Sequence, residues 1–269
     1  MRHSVNRALT YYRANPLMHR NLKDVGRFIL GVVALYLDAT GGLTHRRLRT
    51  MSGKSGLISA GAASAVLLRL RLIGYVVPVG QQVNGQIKLY RPTAAMAEAF
   101  RERMRIEMEA AAVFNSRVGA VLQRLSEPEV FPTLMAVLGD DTINAARHPH
   151  PDSAGIDRIS TRTAGMMLMY RIMQDADTGA AFPPTGEHAI SVSGLAREFE
   201  VSRSHVLTVL RDAEQAGLIT RLAGEGRWRL EPRLGEAFRT FYAVLYMGVI
   251  KGARATQAAL AMGQAGTAR

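Results

Sequence analysis

The chain is predicted to be mainly α-helical, with two winged helix-turn-helix domains, each carrying a small β-hairpin wing, joined by long helices. Three observations predict this. Residues 191–231, SVSGLAREFEVSRSHVLTVLRDAEQAGLITRLAGEGRWRLE, read as helix, tight turn, helix and two-stranded ribbon. The same spacing occurs about 140 positions earlier, with Ser59 matching Ser202, Val66 and Leu67 matching Val209 and Leu210, and Gly74 matching Gly217. After each wing comes a proline and then a helix with the same letters, Glu98-Ala99-Phe100 and Glu236-Ala237-Phe238. A repeat of that length is domain duplication, not a solenoid unit.

Residues 1–24 are basic (Arg2, Arg7, Arg13, Arg20, Lys23) with Tyr11 and Tyr12 among them. They form either a basic arm that tracks a DNA backbone or groove, or a short helix packed across the next domain. The first winged domain is assigned to 25–125. Its opening helix, Val25 to Leu37, buries Phe28, Ile29, Val32, Val33 and Leu37. Thr44 caps a helix through Met51, Ser52 to Gly56 turns the chain, and Ser59 caps a second helix to about Ile73. Gly74 stops it; Tyr75–Pro78 and Gln86–Tyr90 pair about Asn84-Gly85, a strong hairpin signal. Pro92 to about Leu125 reads as one long helix, either a dimer interface or intramolecular packing.

Residues 126–160 are read as a helical linker (Val130–Ala146) and the loop HPHPDSAG, and 161–262 as the second winged domain. Its first helix, Thr161–Asp175, carries Met166, Met167, Met169, Tyr170 and Met173, adaptable packing or the lining of an effector pocket. Ser191 or Ser193 caps the next helix, whose inward residues are Leu195, Ala196 and Phe199. The turn falls at Glu200 and Val201. Ser202 caps the second helix, where Val206, Val209, Leu210 and Ala213 recur at i, i+3, i+4 and i+7 on a core-facing stripe. Leu218–Arg221 and Arg227–Glu231 form the wing. A last helix, Leu234 to about Met262, suits packing or self-association, and 263–269 is a tail.

Charge sets the class of partner. Thirty-four Lys+Arg against 22 Asp+Glu give a net charge of +12, which favours a polyanion, nucleic acid before a membrane surface. From Ala39 through Ala97 there is no acid at all, while Arg46, Arg47, Arg49, Lys54, Arg69, Arg71, Lys88 and Arg91 are present. Solubility would be served better by mixed signs; neutralising phosphates explains the bias directly. The second copy offsets its arginines with Glu198, Glu200, Asp212, Glu214 and Glu225. The two reading helices differ too. Ala60 to Ala65 offers few hydrogen-bonding groups, whereas Ser202, Arg203, Ser204, His205, Thr208 and Arg211 can reach base edges or phosphates. Phosphate clamping is therefore expected of the first domain and base readout of the second.

Signals for other chemistry are weak. The sequence has no cysteine, which excludes disulfides and thiolate catalysis. Gly53-Lys54-Ser55 resembles the end of a P-loop, but Leu48 stands where that loop needs glycine. His148, His150 and Asp152 could ligate a metal, although alternate prolines extend that segment and splay the ligands. No catalytic motif is present, so an enzyme is not expected; no cofactor and no metal are assigned. The first residues lack the apolar core of a signal peptide. The greasiest runs, Phe28–Leu37 and Phe241–Ile250, are too short to span a bilayer. A soluble, cytoplasmic, nucleoid-associated protein is expected.

Each copy resembles the winged-helix DNA-binding domain of bacterial transcription regulators of the MarR kind. The resembling residues are THRRLRTMSGKSGLISAGAASAVLLRLRLIGY with YRPTAAMAEAF, and SVSGLAREFEVSRSHVLTVLRDAEQAGLITR with WRLEPRLGEAF. The resemblance implies that the second helix of each motif enters the major groove and that wing cations contact the backbone or minor groove. Ser202, Arg203, Ser204, His205, Thr208, Arg211, Arg227 and Arg229 would then face DNA. In the first copy the DNA-binding candidates Arg46, Arg47, Arg49, Lys54, Ser55, Ser59 and Lys88 rest on its own residues and charge. The first wing, QQVNGQIK, lacks the Asp-Arg signature usual in that family. The expected function is sequence-specific binding of double-stranded DNA as a transcription regulator. The partner is duplex DNA, with a homodimer through the long helices as a further possibility and the effector unknown. A plasmid replication initiator or partition factor is the alternative, and a tandem winged-helix protein–protein scaffold a third, which the positive charge opposes.

Overall fold

In a computed structural model that describes residues 1–55, 59–80, 89–147, 154–224 and 226–267, the protein is mainly helical with two small antiparallel sheets. The chain divides into two compact units. One holds Met1–Ala14, Lys23–Val25 and Pro149–Leu245; the other holds Asn15–Leu22, Gly26–His148 and Tyr246–Arg269. These units cut the chain differently from the boundaries 25–125 and 161–262, because each draws in segments remote in sequence.

The unit containing Gly26–His148 begins with α2 (Pro16–Asn21) and most of α3 (Val25–Ala39). Leu43 then bridges to Tyr90, and α4 (His45–Ser55) and α5 (Ala60–Leu72) follow. Strands β1 (Val76–Val79) and β2 (Leu89–Pro92) pair antiparallel, Val77 opposite Arg91. The rest is helical: α6 (Ala94–Ala112), α7 (Ser116–Gln123) and α8 (Val130–Arg147). The expected Ser59 cap is present, its hydroxyl accepting from the Ala62 amide. Gly74 adopts φ +73° after α5, a conformation a side chain would strain. Phe28 stacks on Phe100, ring centroids 5.2 Å apart. This pairing depends on Gly31, since a Cβ there would fall 2.2 Å from Phe100 Cζ.

The other unit starts with α1 (Arg2–Ala14), which buries Val5, Ala8, Leu9 and Tyr11. The basic N-terminus forms a packed helix, but within the unit that holds Pro149–Leu245 and not across the domain that follows it in sequence. Arg2 pairs with Asp177 and Arg13 with Glu198, so two of its cations are spent within the unit. Next come α9 (Ala154–Ser160), α10 (Gly165–Asp175), β3 (Gly186–Ala189), α11 (Val192–Glu198) and α12 (Arg203–Gln215). Strands β4 (Ile219–Arg221) and β5 (Arg227–Leu230) complete a sheet of order β3-β5-β4. Helix α13 (Pro232–Thr267) begins in this unit and ends in the other. Phe199, Val209, Leu210, Leu230, Leu234 and Phe238 are fully or almost fully buried, as the i, i+3, i+4 pattern requires.

The described elements correct five details. The segment from Pro92 to Leu125 is not one helix. It breaks after Ala112, and Asn115 restarts it by accepting from the Arg117 amide. Likewise the helix expected over Thr161–Asp175 begins only at Gly165, after Ala164 with φ +55°. Helix α4 runs on through Ser55, past the turn expected at Ser52–Gly56. Ser52 is buried there and donates its hydroxyl to the Arg49 carbonyl. The Gly-Lys-Ser run is therefore helical, not a phosphate loop. Strand β3 is not among the elements expected from the sequence, and Asp212, counted among the acids that offset the second copy's arginines, is buried. The hairpin turn at Asn84-Gly85 and the His148, His150 and Asp152 segment lie outside the described residues.

Candidate nucleic-acid interface

Helix α12 stands on its core stripe and turns its opposite face outward. Ser191 starts the preceding helix, accepting from the Gly194 amide, and the choice left open between Ser191 and Ser193 is thereby made. The chain leaves α11 through Glu200 at φ +50°, with the Val201 amide reaching back to the Ala196 carbonyl. That is a left-handed helix end built on a non-glycine residue. Ser202 then caps α12, accepting from the His205 amide, and its hydroxyl lies 2.9 Å from Ser204 Oγ. Caps of this kind each stabilise a helix by about 1 kcal/mol.

Ser202, Arg203, Ser204 and Arg211 are exposed on this face, with Leu207 39% exposed between them. Two expected contacts are directed elsewhere. His205 is half-buried, its Nε2 2.8 Å from the Thr163 carbonyl oxygen in the loop before α10. Thr208 donates to the Ser204 carbonyl one turn back. Under the face, Asp212 is held by Arg158 at 2.8 Å and by Arg162 at 2.7 Å.

The wing arginines are also exposed, but not alone. Arg227 and Arg229 both reach Glu187 of β3, at 2.6 and 3.3 Å. Hydrogen bonds from Arg229 and then Arg227 hold the Glu187 carboxyl below the usual glutamate range. No periodic signal announced β3, because four residues are too few for alternation to show. Its position before the Ser191 cap was the available clue.

In the unit containing α4, Arg46 and Arg49 are exposed, as are Arg69, Arg71 and Arg91. Arg47 is different. Its guanidinium donates to the carbonyls of Gly42 at 2.6 Å and Thr40 at 3.2 Å, closing the turn after α3. This role competes with phosphate contact and sets Arg47 apart from the exposed Arg46 and Arg49. His45 Nε2 lies 2.8 Å from Ser64 Oγ, linking α4 to α5. The outward face of α5 is apolar (Ala62, Ala65, Leu68 and Leu72), with Arg69 beside it. Lys54 and Ser55 fall in the last turn of α4, while Lys88 lies outside the described residues.

The methionines expected to pack or to line an effector pocket are spent on packing. Met169 and Met173 are fully buried, and the Tyr170 hydroxyl accepts from that of Tyr242 at 2.9 Å. Among the described residues no group of three His, Asp or Glu gathers as metal ligands, and no helix is long and apolar enough to cross a membrane. Comparison with protein-family models, curated proteins and solved structures found no match.

Proposed function

We propose that this chain is a double-stranded DNA-binding transcription regulator with two winged helix-turn-helix heads. One observation carries the reading. Each unit has the order helix, edge pairing, helix, Ser-capped helix and two antiparallel strands, with β5 in the middle of its three-stranded sheet and β2 paired to β1 and bridged by Leu43. In the α12 unit the edge pairing is β3; in the α5 unit it is Leu43 on Tyr90. A Ser-capped helix with exposed cations, followed by an arginine-bearing ribbon, suits major-groove insertion flanked by backbone contacts. The acid-free stretch with exposed Arg46, Arg49 and Arg69 supplies phosphate contacts, and Arg203, Ser204 and Arg211 supply base readout. The apolar face of α5 favours positioning over hydrogen-bonded readout in that head. A homodimer through the trailing helices belongs to the same reading.

Genome-wide recovery of DNA bound by the tagged protein tests this. The expected result is enrichment of promoter fragments sharing one motif. Recovery confined to repeated elements at a replication origin would assign replication or partition instead. Failure to retain any duplex at low salt would remove the DNA-binding reading and restore the scaffold.

A further inference from the structure

The outward face of the β3-β5-β4 sheet holds an ion-pair arrangement that DNA binding alone does not require. Side chains alternate between the faces of a strand. The register sets Glu187 directly opposite Arg229, with Arg227 two residues along β5 on the same face. Arg227 Nη2 lies 2.6 Å from Glu187 Oε2, and Arg229 Nη2 lies 3.3 Å from Oε1, so each carboxylate oxygen takes a different arginine. The side chains are 58%, 48% and 47% exposed for Arg227, Arg229 and Glu187. Two wing cations thus converge on a single solvent-facing oxyanion. A guanidinium binds a carboxylate and a phosphate through the same N–H geometry.

We infer that Glu187 is a built-in competitor for the DNA backbone: it occupies the place of a phosphate between Arg227 and Arg229, and a duplex displaces it when the wing docks. The inference rests on the DNA-binding reading and adds a specificity-determining residue to it. With Glu187 in place the trio presents one net positive charge instead of two, which weakens attraction to arbitrary DNA. An exposed pair of this kind is held loosely enough to be exchanged for a phosphate. A site that also fits α12 brings a phosphate to a fixed position beside the arginines and completes the exchange. Random sequence, without base contacts to hold it there, gains less from the wing. The carboxylate therefore lowers nonspecific binding more than specific binding, and widens the ratio between them.

The test measures binding of the full-length protein to a random-sequence duplex of about 24 bp across a range of salt. Wild type, Glu187→Gln, the Arg227→Ala/Arg229→Ala double variant and the triple variant are compared. Glu187→Gln is expected to bind about 3- to 10-fold more tightly near ~100 mM salt, with a log–log salt slope steeper by about one. The gain should vanish between the double and triple variants, which separates displacement at the wing from a general change in net charge. Binding by Glu187→Gln equal to or weaker than wild type overturns the inference, as does an equal gain without the two arginines. If neither wild type nor Glu187→Gln retains duplex at the lowest salt, the DNA-binding reading falls with it. If wild type binds and Glu187→Gln merely matches it, this inference alone falls.

Discussion

Arg162 Nε lies 2.7 Å from Oδ2 of Asp212, a carboxylate buried on the inner side of α12. Arg158 holds the other oxygen at 2.8 Å, so α9 and the turn after it are fastened to α12. Breaking a buried pair from one side costs about 3–5 kcal/mol when the remaining charge stays buried. Here both arginines are well exposed (53% and 39%) and can rehydrate. Asp212→Ala is therefore expected to lose about 1–3 kcal/mol, measured by urea unfolding. A loss below about 0.5 kcal/mol, typical of a surface substitution, would show that the clamp does not stabilise the fold.

Gly165 opens α10 where a Cβ would fall 2.0 Å from the backbone carbonyl oxygen of Ile159. That oxygen belongs to the main chain of α9 and cannot rotate away like a side-chain tip. Gly165→Ala should destabilise by about 2–4 kcal/mol, in the range of severe overpacking. A melting temperature equal to wild type would mean that α9 yields at low cost. Gly53, with nothing near its Cβ position, is the matched control; alanine there should be neutral or slightly stabilising.

Much of the unit around α12 was legible because its signals are local. The Ser191 and Ser202 caps, the Val206–Val209–Leu210–Ala213 stripe and the Gly217 stop each depend on a few neighbouring residues. What escaped depends on distant partners. Asp212 looks like any helix-surface acid until Arg158 and Arg162 are brought to it. Arg47 reads as one of a basic cluster until its guanidinium is found on the carbonyls of Thr40 and Gly42. His205 reads as a base contact until it is found on Thr163. The break at Val113–Asn115 was hidden because the apolar pattern continues across it, while the Asn115 cap is a single residue.

The hydroxyls of Tyr170 and Tyr242 meet at 2.9 Å inside the core beside Phe238. A double-mutant cycle with phenylalanine at both positions should show a coupling of about 0.5–1.5 kcal/mol, the net worth of an intramolecular hydrogen bond. The two single losses should together exceed the loss of the double variant by that coupling. Strict additivity would mean that the two hydroxyls are not coupled.

The Glu187 carboxyl, held low chiefly by Arg229 and then by Arg227, carries a definite pH signature. A carboxyl with a depressed folded value contributes stability that is complete above its unfolded value and lost as pH falls through the folded one. Its resonance should titrate below the ordinary 4.5, and replacing either Arg229 or Arg227 by alanine should move the midpoint upward. A midpoint at or above the ordinary value would mean that the pairs do not persist in solution.

On the proposed DNA-binding reading, the two units should also differ in how they lose DNA. Arg46 and Arg49 are exposed on α4 in a stretch without acids, the setting of backbone contacts. Their joint replacement by alanine should weaken all duplexes alike and flatten the salt slope by about two, near one per phosphate lost. Arg203 and Arg211 both lie on the outer face of α12, Arg203 beside the Ser202 cap and Arg211 about two turns further on. Alanine at a residue bonded to a base edge should cost about 1–3 kcal/mol on the preferred sequence and relax one base position. Random duplex should be affected far less. Competition between the selected motif and single-base variants separates these outcomes. If Arg203→Ala and Arg211→Ala both weaken every sequence equally, those residues hold phosphates and readout in this chain lies outside them. If Arg46→Ala/Arg49→Ala leaves the slope unchanged, the acid-free head is not the clamp.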